Sequence, residues 1–370
     1  MSVDAKVAHV ARSAFPALLR KSFAAHVIFL FPLSLYSLAY EWLRLARPDA
    51  GMAALFPDIL PVLLMLIIFF LGSLLMMRFY HIARYVKPKS PSLELMREMK
   101  LFLSDRRRLA NGAPVMLIMA VMAFVFSEIQ GSILTLNPRT WDVEFAQLDK
   151  WLHFGKHPWE WLQPVLGYAP ITFLINVNYN MWFFTMIMLL VWFGFSQNTS
   201  QDRTRFILSY MGIWVVGGNI FAVFLSSAGP CYYGRLGLSP DPYQGLMAYL
   251  RHVNETIPVW AVSLQDLLWT NHLAGNDMRE VSAMPSLHNA SALLFALTGF
   301  RVSKLWGCVL TVHAVLIYLG SIHLGWHYAI DAYLGWAITL VIWSAAGLAA
   351  QWWHGTAAQR EFEGLLESEA

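Results

Sequence analysis

A chain of 370 residues that is 57% hydrophobic and only 13% charged is not an ordinary soluble protein, and a mean hydropathy of +0.49 points to a polytopic membrane protein. The net charge of +3 says less by its size than by its placement, and two cysteines cannot make a disulfide scaffold. The first 22 residues carry Lys6, Arg12, Arg20 and Lys21 among Val7, Val10, Ala14 and Leu18, which predicts a short amphipathic helix on the cytoplasmic face. Apolar runs from Ala24 to Tyr40 and from Phe56 to Tyr80 predict two spans. The connector from Arg84 to Asn111, with Arg106-Arg107-Arg108, is the strongest positive-inside signal in the chain. Its position beside two spans makes it a topology and anionic-lipid feature rather than a nucleic-acid site.

A third span is expected over about Ala113 to Ile129. Asn137 to Tyr168 is too polar to cross but rich in aromatics, which predicts an interfacial segment on the outer face. Spans follow over about Ile171–Phe195 and Phe206–Ala228, then a long outer insertion, 229–283, with helical patches near Tyr243–Val253 and Val262–Trp269. Three more spans are expected, about Pro285–Val302, Leu305–His323 and Tyr328–Trp353, before an acidic tail with Glu361, Glu363, Glu367 and Glu369. Eight spans with both termini cytoplasmic satisfy the charge rule at every short inner loop. Three regions result: 1–111, with two spans and the basic connector; 112–353, with six spans; and the tail 354–370. Intramembrane Asn176, Asn178, Asn180 and Asn219 need partners, and hydrogen bonds between helices are the simplest source.

The stretch from Ala283 to Asp331 carries the candidate chemistry. His327 and Asp331 are four apart, so on one helix they would stack about 6 Å apart along the axis. The acid would fix the imidazole tautomer and leave its other nitrogen free to attack phosphorus. The plainer alternative is an acid capping a helix start. His288 opens a different span and would be the general acid and then the general base; otherwise it is an interfacial histidine. Ser286 would donate to phosphate, cap its helix, or do both. His323, four before His327, would bind phosphate or position an acceptor, or sit behind the site as a snorkelling side chain. Arg235 would hold phosphate oxygens or snorkel at the outer interface. Tyr232 would be a hydrogen-bond donor or a belt residue. There is no Cys/His cluster with zinc spacing, no phosphate-binding glycine loop and no dinucleotide fingerprint, so neither metal nor cofactor is expected.

In order and residue type, these motifs resemble the type 2 phosphatidic acid phosphatase superfamily. The similarity is closest to its lipid phosphotransferase branch, the inositol phosphorylceramide and sphingomyelin synthases. Pro285-Ser286-Leu287-His288 is similar to that branch's P-S-x-H element, and His327-Tyr328-Ala329-Ile330-Asp331 to its H-Y-x-x-D element. The resemblance runs from about Gly112 to Trp353 and implies an all-α, six-span catalytic core. It also implies a phosphohistidine intermediate at the extracytoplasmic or luminal face and membrane lipids as donor and acceptor. The chain departs from the phosphatases in having no K-x-x-x-x-x-x-R-P element and in carrying Gly320-Ser321 where they carry Ser-Arg. Two phosphate-binding cations are therefore absent, which favours the transferase branch and makes Arg235 the best replacement. A lipid phosphatase using water, on phosphatidic acid or a polyprenyl diphosphate, and a non-enzymatic lipid carrier are the alternatives. Oligomeric state is not legible.

Overall fold

The computed structural model describes residues 18–138, 140–274 and 282–369, and among them every regular element is helical. Of the amphipathic helix expected over the first 22 residues, only the part from Leu18 is among the described residues. The chain begins with α1 (Leu18–Ala25) and α2 (Val27–Ala46), which meet at a bend of 59°. Then come α3 (Leu55–His81), α4 (Pro91–Ser104), α5 (Arg106–Gly131) and the single turn α6 (Ile133–Leu136). The aromatic segment forms α7 (Asp142–Leu152) and α8 (Pro158–Leu166) before the long α9 (Ala169–Gly194). Next, α10 (Gln201–Gly212) continues through a π-helical stretch, Ile213–Phe221, into α11 (Ala222–Phe224). The insertion carries α12 (Gln244–Asn254) and α13 (Trp260–Leu273), close to the two patches read from sequence. The chain ends with α14 (Leu287–Val302), α15 (Lys304–His323), α16 (Ala329–His354) and α17 (Ala357–Ser368).

Helix starts follow local chemistry. The Asp105 carboxylate accepts from the amides of Arg107 and Arg108 at the head of α5. Ser200, Ser286, Ser303 and Thr356 cap α10, α14, α15 and α17 through their hydroxyls. Among the described residues, six helices are long and apolar enough to cross a membrane, or seven if α1 and α2 together make one broken span. The sixth of the eight expected spans, α14, has 16 residues and falls short. Its buried Asn289, Ser291 and Thr298 show why: it is enclosed by protein rather than by lipid. It packs against α15, α16, α10 and α9, while α2 and α3 lie against α5. The chain is thus an all-α integral membrane protein with a short helix at its centre.

Three of the four intramembrane asparagines bond to another element. The Tyr36 hydroxyl donates to Asn219 Oδ1, Asn178 Oδ1 lies 2.9 Å from His313 Nδ1, and Asn176 Oδ1 accepts from the Ala261 amide at 3.2 Å. Asn180 turns back on its own helix, donating to the Asn176 carbonyl.

The described ends share one end of the bundle. Leu18 and Ala25 pack with Ala110, Phe362 and Leu366, and the Trp353 indole donates to the Ala25 carbonyl. Lys21 pairs with Glu361, and Arg106 with Glu369. His327 stands just before the opposite end of α16, whose 26 residues span about 39 Å.

Candidate active site

The site is built where the loop before α14 meets the loop before α16. The Ser286 amide donates to the Asp331 carbonyl at 3.0 Å, tying the two sequence motifs together. Gly335, one turn further along α16, faces the Ser286 carbonyl, and a Cβ there would lie 2.9 Å from that oxygen. Only glycine lets the helices approach this closely. As a result the rings of His288 and His327 come within 5.9 Å, centroid to centroid.

His327 and Asp331 meet, but not by stacking along a helix as the spacing suggested. The helix begins at Ala329, so His327 lies in the extended lead-in, and Asp331 is the third residue of the first turn. The Asp331 carboxylate accepts from the Tyr328 amide at 3.0 Å and lies 3.2 Å from His327 Nδ1, so the contact follows from cap geometry. His327 Nδ1 is also 2.9 Å from the Ala283 carbonyl. A carbonyl oxygen can only accept, so Nδ1 carries the hydrogen and a neutral ring keeps its lone pair on Nε2.

His288, in the first turn of α14, lies between Tyr179, stacked at 4.7 Å, and Trp182, tilted at 4.2 Å. Both histidines line a cavity of about 340 Å³. Its wall is mostly aromatic and aliphatic, with Phe126, Phe183, Trp214 and Trp260 prominent, and no Lys or Arg stands among the described lining residues.

The other expected site residues are placed differently. Ser286 is fully buried; its hydroxyl accepts from the amide and side chain of Asn289, so it caps α14 rather than reaching into the cavity. His323 also lies outside the cavity wall. The turn through Gly325, at φ +75, separates it from His327, so the two share no helix face, and its Nε2 is 2.9 Å from Thr172 Oγ1. Arg235 is away from the cavity as well, paired with Asp266 and 5.7 Å from the Trp269 ring centre. Tyr232 does line the cavity, and its hydroxyl donates to the Gln265 carbonyl.

Ser321, where the phosphatases carry arginine, is fully buried and occupied. Its carbonyl accepts from the amides of Trp326 and His327 at 3.0 Å each, and its hydroxyl accepts from Asn289. It holds the His327 loop.

Two positioning residues went unnoticed in the sequence. Asp142 accepts from the amides of Ala228 and Gly229, both at 2.9 Å, and from the Tyr328 hydroxyl at 2.8 Å. Asp149 accepts from the amides of Ala329 and Ile330, capping α16 from another helix. Burial pushes both carboxyls up, against the pull of these donors. Asp149 reaches about 7, with the nearby Asp331 charge adding to the rise. A signal was present: Asp142, Phe145, Ala146 and Asp149 follow an i, i+3, i+4, i+7 spacing and together form the buried face of α7.

Among the described residues, no group of three or more His, Cys, Asp or Glu side chains is placed to hold a metal ion. A family model described as the PAP2 superfamily matches residues 143–345, which takes in both motifs and Asp149. No curated protein and no solved structure matches the chain.

Proposed function

Because the chain belongs to the PAP2 superfamily, a group of lipid phosphatase and phosphotransferase type, we propose that it is a lipid phosphotransferase of the inositol phosphorylceramide synthase kind. In the first step His327 Nε2 attacks the phosphorus of a phospholipid. The N–P bond forms, the P–O bond to the diacylglycerol breaks, and His288 protonates the departing alkoxide. In the second step the acceptor lipid's hydroxyl gives its proton to His288, its oxygen attacks phosphorus, and the N–P bond breaks. His288 ends protonated and ready for the next donor. Asp331 and the Ala283 carbonyl hold the Nδ1 hydrogen and stabilise the positive charge that builds on His327.

One observation carries this reading: two imidazoles from separate helices lie 5.9 Å apart in one cavity, with the attacking nitrogen of one left unprotonated by its partners. The transferase form is favoured by the wall itself, whose aromatic and aliphatic side chains disfavour water as the acceptor. We place the cavity on the extracytoplasmic side. The basic connector and both described ends lie at the other end of the bundle, and basic residues favour the cytoplasm.

Purified protein given phospholipid labelled in the phosphate, with and without a long-chain alcohol acceptor, tests the proposal. A labelled new phospholipid that requires the alcohol is expected. Inorganic phosphate released at the same rate without it would make the protein a phosphatase and overturn the transferase reading.

A further inference from the structure

Of the polar groups in the described cavity wall that the mechanism does not use, three also lack a partner within the described protein. Gln130 near the end of α5, Tyr179 on α9 and Trp214 on the π-helical stretch all line the cavity that holds His288 and His327. Gln130 Oε1, the Tyr179 hydroxyl and Trp214 Nε1 are buried, and none has a hydrogen-bond partner among the described residues. Gln130 and Tyr179 are 8% and 6% exposed, so water does not freely satisfy them. By contrast, the indole of Trp182 in the same wall donates to Ser291 at 2.7 Å, and Asn180 donates to the Asn176 carbonyl. Buried polar groups left unpaired oppose folding. Three in one cavity, beside the reacting histidines, indicate that the partner comes with the ligand.

Their chemistry restricts that ligand. An amide oxygen accepts, an indole N–H donates, and a phenol does either. No Asp or Glu lies in the described wall to neutralise an ammonium group, and no Lys or Arg to neutralise a carboxylate. An aliphatic hydroxyl, which both donates and accepts, satisfies the set. The two aromatic groups are also held by ring packing. The Trp214 ring packs edge-on to Phe126 at 4.6 Å and parallel to Trp182 at 6.4 Å, and the Tyr179 ring stacks on His288.

We propose that Gln130, Tyr179 and Trp214 form a subsite that hydrogen-bonds the hydroxyl groups of the lipid substrate. This rests on the function proposed above. The hydroxyls come either from the donor's head group or from the acceptor alcohol, and Gln130 and Trp214 set the preference for substrates that carry them.

The test uses full-length protein in mixed micelles, with Gln130→Leu and Trp214→Phe beside wild type. In one arm the donor is phosphatidylinositol or phosphatidic acid with the same acyl chains, at fixed acceptor. In the other, an N-acylated sphingoid alcohol is varied at fixed donor. Each variant is expected to raise KM about tenfold in one arm, with kcat within about twofold. A rise for phosphatidylinositol but not phosphatidic acid assigns the subsite to the head group, and a rise for the alcohol assigns it to the acceptor. Equal losses on phosphatidylinositol and phosphatidic acid with an unchanged alcohol KM, or no change in any KM, overturn the proposal. If wild type turns over no lipid, the functional reading fails on its own, and the lipid retained by the protein in native mass spectrometry decides the subsite. Preferential retention of phosphatidylinositol over phosphatidic acid, lost in Gln130→Leu, supports it; no preference, or one unchanged in the variant, overturns it.

Discussion

At the end of the bundle that carries the histidines, Asp142, Asp149 and Asp331 are buried and accept from backbone amides. At the other end, acids are paired with cations at the surface: Glu361 with Lys21, Glu369 with Arg106, and Asp202 with Arg301. The same residue types serve different ends. A buried carboxylate bonded to two amides fixes loop geometry to within a fraction of an ångström, because any shift leaves donors unpaired in a poor solvent for them. A surface ion pair slides and exchanges with water, so it contributes little and fixes no atom closely. Geometry is held at the end where the two imidazole rings meet.

The sharpest way to break that contrast is His327→Ala. Turnover of labelled phospholipid is expected to fall by on the order of 10⁴-fold or more, since the covalent step has no substitute. An unchanged rate would remove the nucleophile. Next is Gly335→Val, which forces the Ser286 carbonyl away and spreads the two loops. A misplacement of this kind should lower kcat by about 10²-fold while the protein still inserts and purifies as a folded species. Normal kcat would show that the close crossing does not set the distance between the rings.

A smaller effect separates the two classes of acid. Burial raises Asp149 to about 7, against 3.8 for the ordinary side chain. Between about pH 4 and 7 the folded chain therefore keeps a proton that the unfolded chain gives up. The stability this adds is fully present below pH 4 and is lost as pH rises through 7. The unfolding temperature of Asp149→Asn in detergent should accordingly depend less on pH across that window than that of wild type; parallel curves would place the carboxyl in a wetter setting. The smallest effect is expected at the other end. Arg301→Gln removes the 2.8 Å contact to Asp202, both side chains being partly exposed, and should change stability by about 0.5 kcal/mol or less with turnover unaltered. A larger loss would mean that surface pairs also hold the site.

Much of the helical layout was legible because long apolar runs admit few structures in a bilayer. The helices of the insertion were legible from apolar spacing between polar turns, whereas the aromatic segment 137–168 was read only as interfacial and its two helices, α7 and α8, were not. The count of spans was less so: α14 is apolar enough to read as a span, yet 16 residues with buried Asn289 and Ser291 belong to a helix wrapped in protein. His288, His327 and Asp331 were readable as a group from residue type and order. Arg235 was the best candidate for phosphate and His323 another, and nothing local could reveal that one is paired with Asp266 and the other turned toward Thr172.

The sequence by itself determined that this chain is an all-α membrane protein, that basic residues cluster in the connector between its early helices, and which short motifs carry the candidate site residues. These follow from hydropathy and residue chemistry, which are local. Tertiary structure alone decided that the two imidazoles share a cavity, that Asp331 meets His327 through a helix cap, and that Asp142 and Asp149 brace the loops from a distant helix. Each depends on contacts between segments far apart in the chain, where glycine clearance and backbone amides, rather than residue patterns, set the distances.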